Sequence, residues 1–235
     1  MSASGPRVAV VTGASRGVGK ATVGLFREQG MTAIGVSRSI GNSGESRSCD
    51  VGDEQSVAGL FDELVASHGR VDILVNCAGV STTTAPLELG VEEWEAVLRT
   101  NLIGTYLCCK NAILHMRPQR YGKIINVSSI AGRAFSKTSS VAYTCSKYAV
   151  IGLTRQLAVA YSGDGININC VAPSQILTEM LIAHVPQGRR EELAAANPLR
   201  RLADPEEVAR TISFLAGDGA SYINGAVIDI NGGQL

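Results

Sequence analysis

Val8-Ala-Val-Val-Thr-Gly-Ala-Ser-Arg-Gly-Val-Gly19 carries an apolar run straight into a glycine-rich turn, and the helical pattern behind it, with Ala21, Leu25 and Phe26, stops at Gly30. A strand that passes through glycines into a helix start is the setting a dinucleotide site needs. Gly13, Gly17 and Gly19 let the backbone turn sharply, approach a pyrophosphate and pack helix on strand. The helix start offers free N–H groups and the positive end of its dipole, so Ser15, Arg16 and Val18 join the candidate anion site. The spacing is G-x-x-x-G-x-G rather than G-x-G-x-x-G, and three glycines alone also fit an ordinary tight turn. The rest of the chain has to choose.

Outward from that turn, short β-rich runs alternate with helical patterns. Residues 7–11, 32–36, 72–75, 123–127, 166–170 and 226–230 are the expected strands, and their unbroken apolar character predicts a parallel sheet covered on both faces. Val57, Leu60, Phe61, Leu64 and Val65 recur at helical spacing behind Asp53 as N-cap and before Gly69 as terminator. Asp204-Pro205, followed by Glu206 and Glu207, marks the start of a helix over 208–216. This alternation predicts an α/β fold, a Rossmann-like doubly wound parallel sheet. No linker or repeat divides residues 1–235, so a single domain is expected.

Composition narrows the function. The chain has 235 residues, 45% hydrophobic, with 21 basic against 21 acidic side chains. Disorder is excluded, and a zero net charge draws the chain neither to nucleic acid nor to an anionic membrane. The opening MSASGPRVAVV lacks the apolar stretch of a signal peptide, and no run approaches the roughly 18 apolar residues of a spanning helix. A soluble protein of the cytoplasm or another reducing compartment is expected. Cys49, Cys77, Cys108, Cys109, Cys145 and Cys170 form no C-x-x-C pair and read as buried thiols. His68, His115 and His184 sit in unrelated contexts, and no metal is expected.

Only eleven residues, SIGNSGESRSC, separate Arg38 from Asp50, fewer than a parallel crossover with a helix needs, so an irregular loop is expected there. The second strand ends Val36-Ser37-Arg38. An acid at this point holds a ribose 2′-hydroxyl, whereas arginine accommodates a 2′-phosphate. With Arg16 in the glycine turn and Arg47 near by in sequence, up to three guanidiniums are available, and NADP(H) is preferred over NAD.

Tyr143-Thr-Cys-Ser-Lys147 puts a phenol and an ammonium one helical turn apart. A neighbouring positive charge favours phenolate, which suits the pair to exchange a proton with an alcohol or carbonyl oxygen. Tyr106 and Lys110 stand at the same interval, but in a helical stretch rich in Leu, Cys and Ile, and are assigned to packing and surface. Tyr143 instead follows the strand ending in Ser129, whose carboxyl end opens into the crevice where such sheets bind ligands, so Ser129 can donate to the same carbonyl. Asn101 is read as a buried amide that interrupts its helix and holds a water feeding Lys147, or alternatively as a helix cap.

With these residues in place the chain resembles the short-chain dehydrogenase/reductase family from about residue 7 onward. The resemblance rests on Thr12-Gly-x-x-x-Gly-x-Gly19, Cys49-Asp50-Val51, Asn76-Cys-Ala-Gly79, Asn101, Ser129, Tyr143-x-x-x-Lys147, Ala172-Pro173 with Thr178, and Asp229-Ile-Asn-Gly-Gly233. It implies a catalytic set of Asn101, Ser129, Tyr143 and Lys147. It further implies adenine contacts at Asp50 and Val51, a ribose-side loop at Asn76, Ala78 and Gly79, and nicotinamide contacts at Pro173, Ile176 and Thr178. Hydride transfer and a homotetramer follow from the same likeness.

The tail and the Ala-Pro-x-x-Ile-x-Thr-Glu-Met stretch are most similar to 3-oxoacyl-[acyl-carrier-protein] reductases. This implies NADPH-dependent ketone reduction in fatty acid metabolism, on a small molecule carried by acyl-carrier protein or coenzyme A. Dehydrogenation of a cyclic, steroid or sugar alcohol is the alternative. A non-catalytic NADP sensor is disfavoured, because it has no need of Ser129, Tyr143 and Lys147. Cys77 stands where the family has a second Asn, and Ser174 where it has Gly after Pro173. Residues 174–198, with Met180, Leu181, Ile182 and Val185 ahead of Arg189 and Arg190, are expected to form a lid over the nicotinamide crevice. Arg189, Arg190, Arg200 and Arg201 are candidates to meet an acidic carrier protein or a coenzyme A phosphate.

Overall fold

The computed structural model describes residues 5–235; residues 1–4, the beginning of the expected domain, and the side chain of His184, read as structural, lie outside them. Seven strands form one parallel sheet: β1 (Val8–Thr12), β2 (Thr32–Ser37), β3 (Ser46–Ser48), β4 (Ile73–Asn76), β5 (Gly122–Val127), β6 (Ile166–Pro173) and β7 (Val227–Ile230). Their order is β3-β2-β1-β4-β5-β6-β7. Eight α-helices are described: α1 (Gly17–Glu28), α2 (Glu54–His68), α3 (Val91–Leu98), α4 (Gly104–Gln119), α5 (Val141–Tyr161), α6 (Glu179–His184), α7 (Gln187–Ala196) and α8 (Pro205–Ala216). The expected doubly wound fold is therefore present.

Successive strand residues feed two cores. Ala9, Val11, Ile73, Val75 and Ile125 pack with Phe26 of α1 and Ile212 and Leu215 of α8. Val10, Leu74, Ile124 and Ile168 pack with Phe61 and Leu64 of α2 and Leu107 and Met116 of α4. Both faces are covered, which is why the strands read as unbroken apolar runs rather than alternating ones. Asp53 caps α2 by accepting from the Ser56 N–H, and Gly69 ends that helix with a left-handed φ of 74°. At α8 the Glu207 carboxylate accepts from the Asp204 N–H at 2.9 Å.

Four expectations are corrected. Residues 39–49 hold no helix, but they are not wholly irregular, because Ser46–Ser48 pairs in parallel with Gly35–Ser37 as an edge strand. Arg7 and Asp72 precede their strands, and buried Asp72 accepts from the Val8 N–H at 2.9 Å and pairs with Arg70. The helix expected at Asn101 begins as a π turn, Arg99–Ile103, before α4. Cys145 is exposed, whereas Cys49, Cys108, Cys109 and Cys170 are buried. No helix among the described residues is long and apolar enough to cross a membrane.

Candidate active site

β1 pairs with both β2 and β4, so the crossovers diverge to opposite sides of the sheet at that point. A crevice forms outside such a switch. It is a cavity of about 830 Å³ at the carboxyl ends of β1, β2, β4, β5 and β6.

The turn after β1 forms its floor. Gly13 has a φ of 68°, and a Cβ there would stand 2.8 Å from the Ala78 backbone, so only glycine fits. Thr12 Oγ1 accepts from the Cys77 and Ala78 N–H groups, both at 3.1 Å, which draws the loop after β4 onto this turn. No side chain caps the start of α1. Its first N–H groups are thereby left to an anion. Ser15, Arg16, Gly17, Val18 and Gly19 all line the cavity.

Beyond β2 the wall continues through Arg38, Asp50 and Val51, and across the floor through Ala78 and Gly79. Asp50 accepts from the Gly52 N–H at 2.9 Å. Among the described residues no protein group engages the guanidinium of Arg16 or Arg38. Arg47 is different: it pairs with Glu63 at 2.6 Å and donates to the Gly44 and Ser46 carbonyls, so it is removed from the expected arginine trio. Burial pushes the Cys77 thiol up to about 11, so it is a neutral group beside the glycine turn.

Ser129, Tyr143 and Lys147 line the same cavity with Pro173, Ile176 and Thr178, and Thr178 stands against the glycine turn, where a Cβ on Gly17 would come within 3.1 Å of its Cγ2. Two latches set α5 there. Lys147 Nζ donates to the Val127 carbonyl at 2.8 Å, and Ser128 Oγ donates to the Lys147 carbonyl at 2.8 Å. At the helix start, the Ser140 N–H donates to the Thr82 carbonyl at 2.7 Å and Thr82 Oγ1 donates to Ser140 Oγ at 2.8 Å. Between them the Lys147 ammonium lies 5.6 Å from the Tyr143 ring centre. Tyr106 is exposed, and Lys110 pairs with Glu54 at 2.8 Å, away from the cavity.

Asn76 and Asn101 are the expected site residues that the cavity wall does not include. Asn76 is buried and donates to Asn126 Oδ1 at 2.8 Å. Asn101 accepts from the Val80 N–H at 2.8 Å, donates to the Val80 carbonyl at 2.9 Å and reaches Ser146 Oγ at 3.0 Å. Its side chain is thus a brace between the loop after β4 and α5. Ser174 and Gln175, at the start of the expected lid, line the cavity too, as do Ser81, Ser136, Thr138 and Ser139, which were not foreseen. Their only sequence signal is position, just beyond β4, β5 and β6, where such sheets bind ligands.

The fold and this crevice define an oxidoreductase of the Rossmann type. A family model described as enoyl-(acyl carrier protein) reductase matches residues 13–234, and the chain belongs to the short-chain dehydrogenase/reductase family, whose members act on CH–OH and C=O groups. It is 42% identical to the cis-4-hydroxycyclohexanecarboxylate dehydrogenase of Sinomonas cyclohexanicum, over 97% of this chain and 96% of that one. It is 36% identical to the 3-oxoacyl-[acyl-carrier-protein] reductase FabG of Thermotoga maritima, over 97% and 98%. The solved structure of ElxO with NADP bound superposes with a TM-score of 0.90 at 33% identity, over 97% of this chain and 98% of that one.

Proposed function

We propose that the protein reduces a ketone to a secondary alcohol with NADPH, and that Tyr143 donates the proton. One observation carries the reading: the Lys147 ammonium, held on the Val127 carbonyl, lies over the Tyr143 ring on the same cavity wall as Ser129. The floor fits the cofactor, because it has the glycine turn, an uncapped helix start and two unengaged guanidiniums. Gly13, Ser15, Gly17, Val18 and Gly19 would hold the pyrophosphate, Arg16 and Arg38 the 2′-phosphate, Asp50 and Val51 the adenine, and Ala78 and Gly79 the ribose. Pro173, Ile176 and Thr178 would hold the nicotinamide. Bound there, the reduced nicotinamide supplies a hydride.

The chain supplies the rest. Ser129 donates a hydrogen bond to the carbonyl oxygen, the Tyr143 phenol transfers its proton to that oxygen, and Lys147 stabilises the phenolate left behind. Asn101 acts through Ser146 and Val80 and positions α5, and Asn76 acts through the core. Residues 174–198 close over the reacting carbonyl, since Met180, Leu181 and Val185 face the cavity. The enzyme acts as a homotetramer in a reducing compartment.

Fatty acid metabolism is supported by the FabG relative and the family model. The reverse reaction on a cyclic alcohol is supported by the 42% relative. The test is Tyr143→Phe, which should lower kcat by about 10²- to 10⁴-fold while NADPH binding, followed by fluorescence, stays within about twofold. Tyr106→Phe should leave both unchanged. Full activity of Tyr143→Phe would end the proposal.

A further inference from the structure

We propose that the substrate is an uncharged, hydroxyl-bearing ketone or the corresponding polyol, bound through side chains that the protein itself leaves without partners. This rests on the ketone–alcohol reading of the site. Three segments line the cavity together with Ser129 and Tyr143: Ser81 after β4, Thr138 and Ser139 ahead of α5, and Ser174 and Gln175 after β6. Among the described residues no protein group hydrogen-bonds any of these five side chains. Ser136, beside them, accepts from the Thr138 N–H at 3.2 Å. Unmatched hydroxyls and an amide that line a pocket favour a ligand carrying its own hydroxyls. An analogue lacking them strips water from these groups and returns nothing.

Charge argues the same way. The guanidiniums and the carboxylate that line the cavity, Arg16, Arg38 and Asp50, belong to its glycine-turn end, and Lys147 is held on the Val127 carbonyl. Lys137 is exposed and lies outside the lining. The arginines of the lid are engaged locally: Arg189 with Glu192, Arg190 with the Val185 carbonyl, Arg200 with the Ala195 carbonyl and Arg201 with Glu207. None of the five polar groups is charged, so a carboxylate placed among them would gain only neutral hydrogen bonds, and a carrier phosphate would have to displace the local partners of the lid guanidiniums.

The experiment is calorimetric titration of the NADP⁺-saturated Tyr143→Phe protein, in which binding is read without turnover. The ligands are 4-hydroxycyclohexanone, cyclohexanone, 4-oxocyclohexanecarboxylate and acetoacetyl-coenzyme A. The hydroxyketone should bind about tenfold more tightly than each of the others, a gain within reach of one to two neutral hydrogen bonds. Ser139→Ala combined with Gln175→Ala should remove that gain and leave cyclohexanone affinity within about twofold. The ranking in the parent protein stands even if the double variant does not fold. Equal or tighter binding of the carboxylate or the thioester, or no gain from the hydroxyl, overturns the proposal. NADPH oxidation by the native protein with cyclohexanone tests the underlying reading separately. Turnover there with no hydroxyl preference in binding rejects the substrate class alone, and absence of NADP⁺ binding rejects both.

Discussion

Arg38 and Arg47 are nine positions apart and have opposite fates. Arg38 lines the cavity with its guanidinium unengaged among the described residues, while Arg47 is drawn out by Glu63 once Ser46–Ser48 pairs with β2. In the proposed reading, cofactor choice belongs to Arg38 with Arg16. Arg38→Asp should lower kcat/KM with NADPH by roughly 10- to 100-fold, the worth of a charge-assisted hydrogen bond, and raise it with NADH. Steady-state rates with each cofactor check this, and equal native values would show that Arg38 does not select. Sequence placed the glycines, Ser129, Tyr143, Lys147 and Arg38 on one cavity because their chemistry is bound to local spacing. It could not show that Asn76 turns to Asn126, since a buried amide and a lining amide are the same letter, nor that buried Asn101 spends its amide on Val80 and Ser146. For Arg47 the missing information was the direction of an edge strand with no apolar residue.

Elements were legible where their ends are chemical. Asp53, Gly69 and Asp204-Pro205 marked helix limits that the backbone respects. The π turn at Arg99–Ile103 showed only as the interruption read at Asn101, because it changes which carbonyl each N–H meets and not which residues are used. The start of α8 also predicts a pH response. The Arg201 guanidinium, and then the Asp204 N–H, hold the Glu207 carboxyl down to about 2. A carboxyl depressed in the folded state stabilises it above the unfolded value of about 4.3 and loses that contribution as pH falls toward the folded value. The Tm gap between native protein and Glu207→Gln should thus be full above about pH 5 and shrink as pH falls from 4.3 toward 2. A gap constant across that window would contradict it. For the segment α6–α7, limited proteolysis should cut within 180–192 and slow when NADPH and a ketone are added together. Cleavage indifferent to both would make this segment plain scaffold.

Two long helices carry the argument for assembly. Tyr106 and Leu114 on α4 are 45% and 56% exposed, and Tyr148 and Val159 on α5 are 47% and 80% exposed, more apolar surface than a solitary helix face needs. Paired about two-fold axes, these faces would build the proposed tetramer. Light scattering at micromolar concentration should report four chains, and a stable monomer would refute it. The strand order has a different implication. From β1 outward, β4, β5, β6 and β7 lie in the order in which a ribosome makes them. Each emerging strand on that side can therefore dock on an edge already laid down, and none has to be threaded between two strands that have met. Every such docking waits for a whole crossover to be synthesised, so the growing edge stays open in the meantime, and the nascent chain is most exposed to mispairing with its neighbours at those pauses.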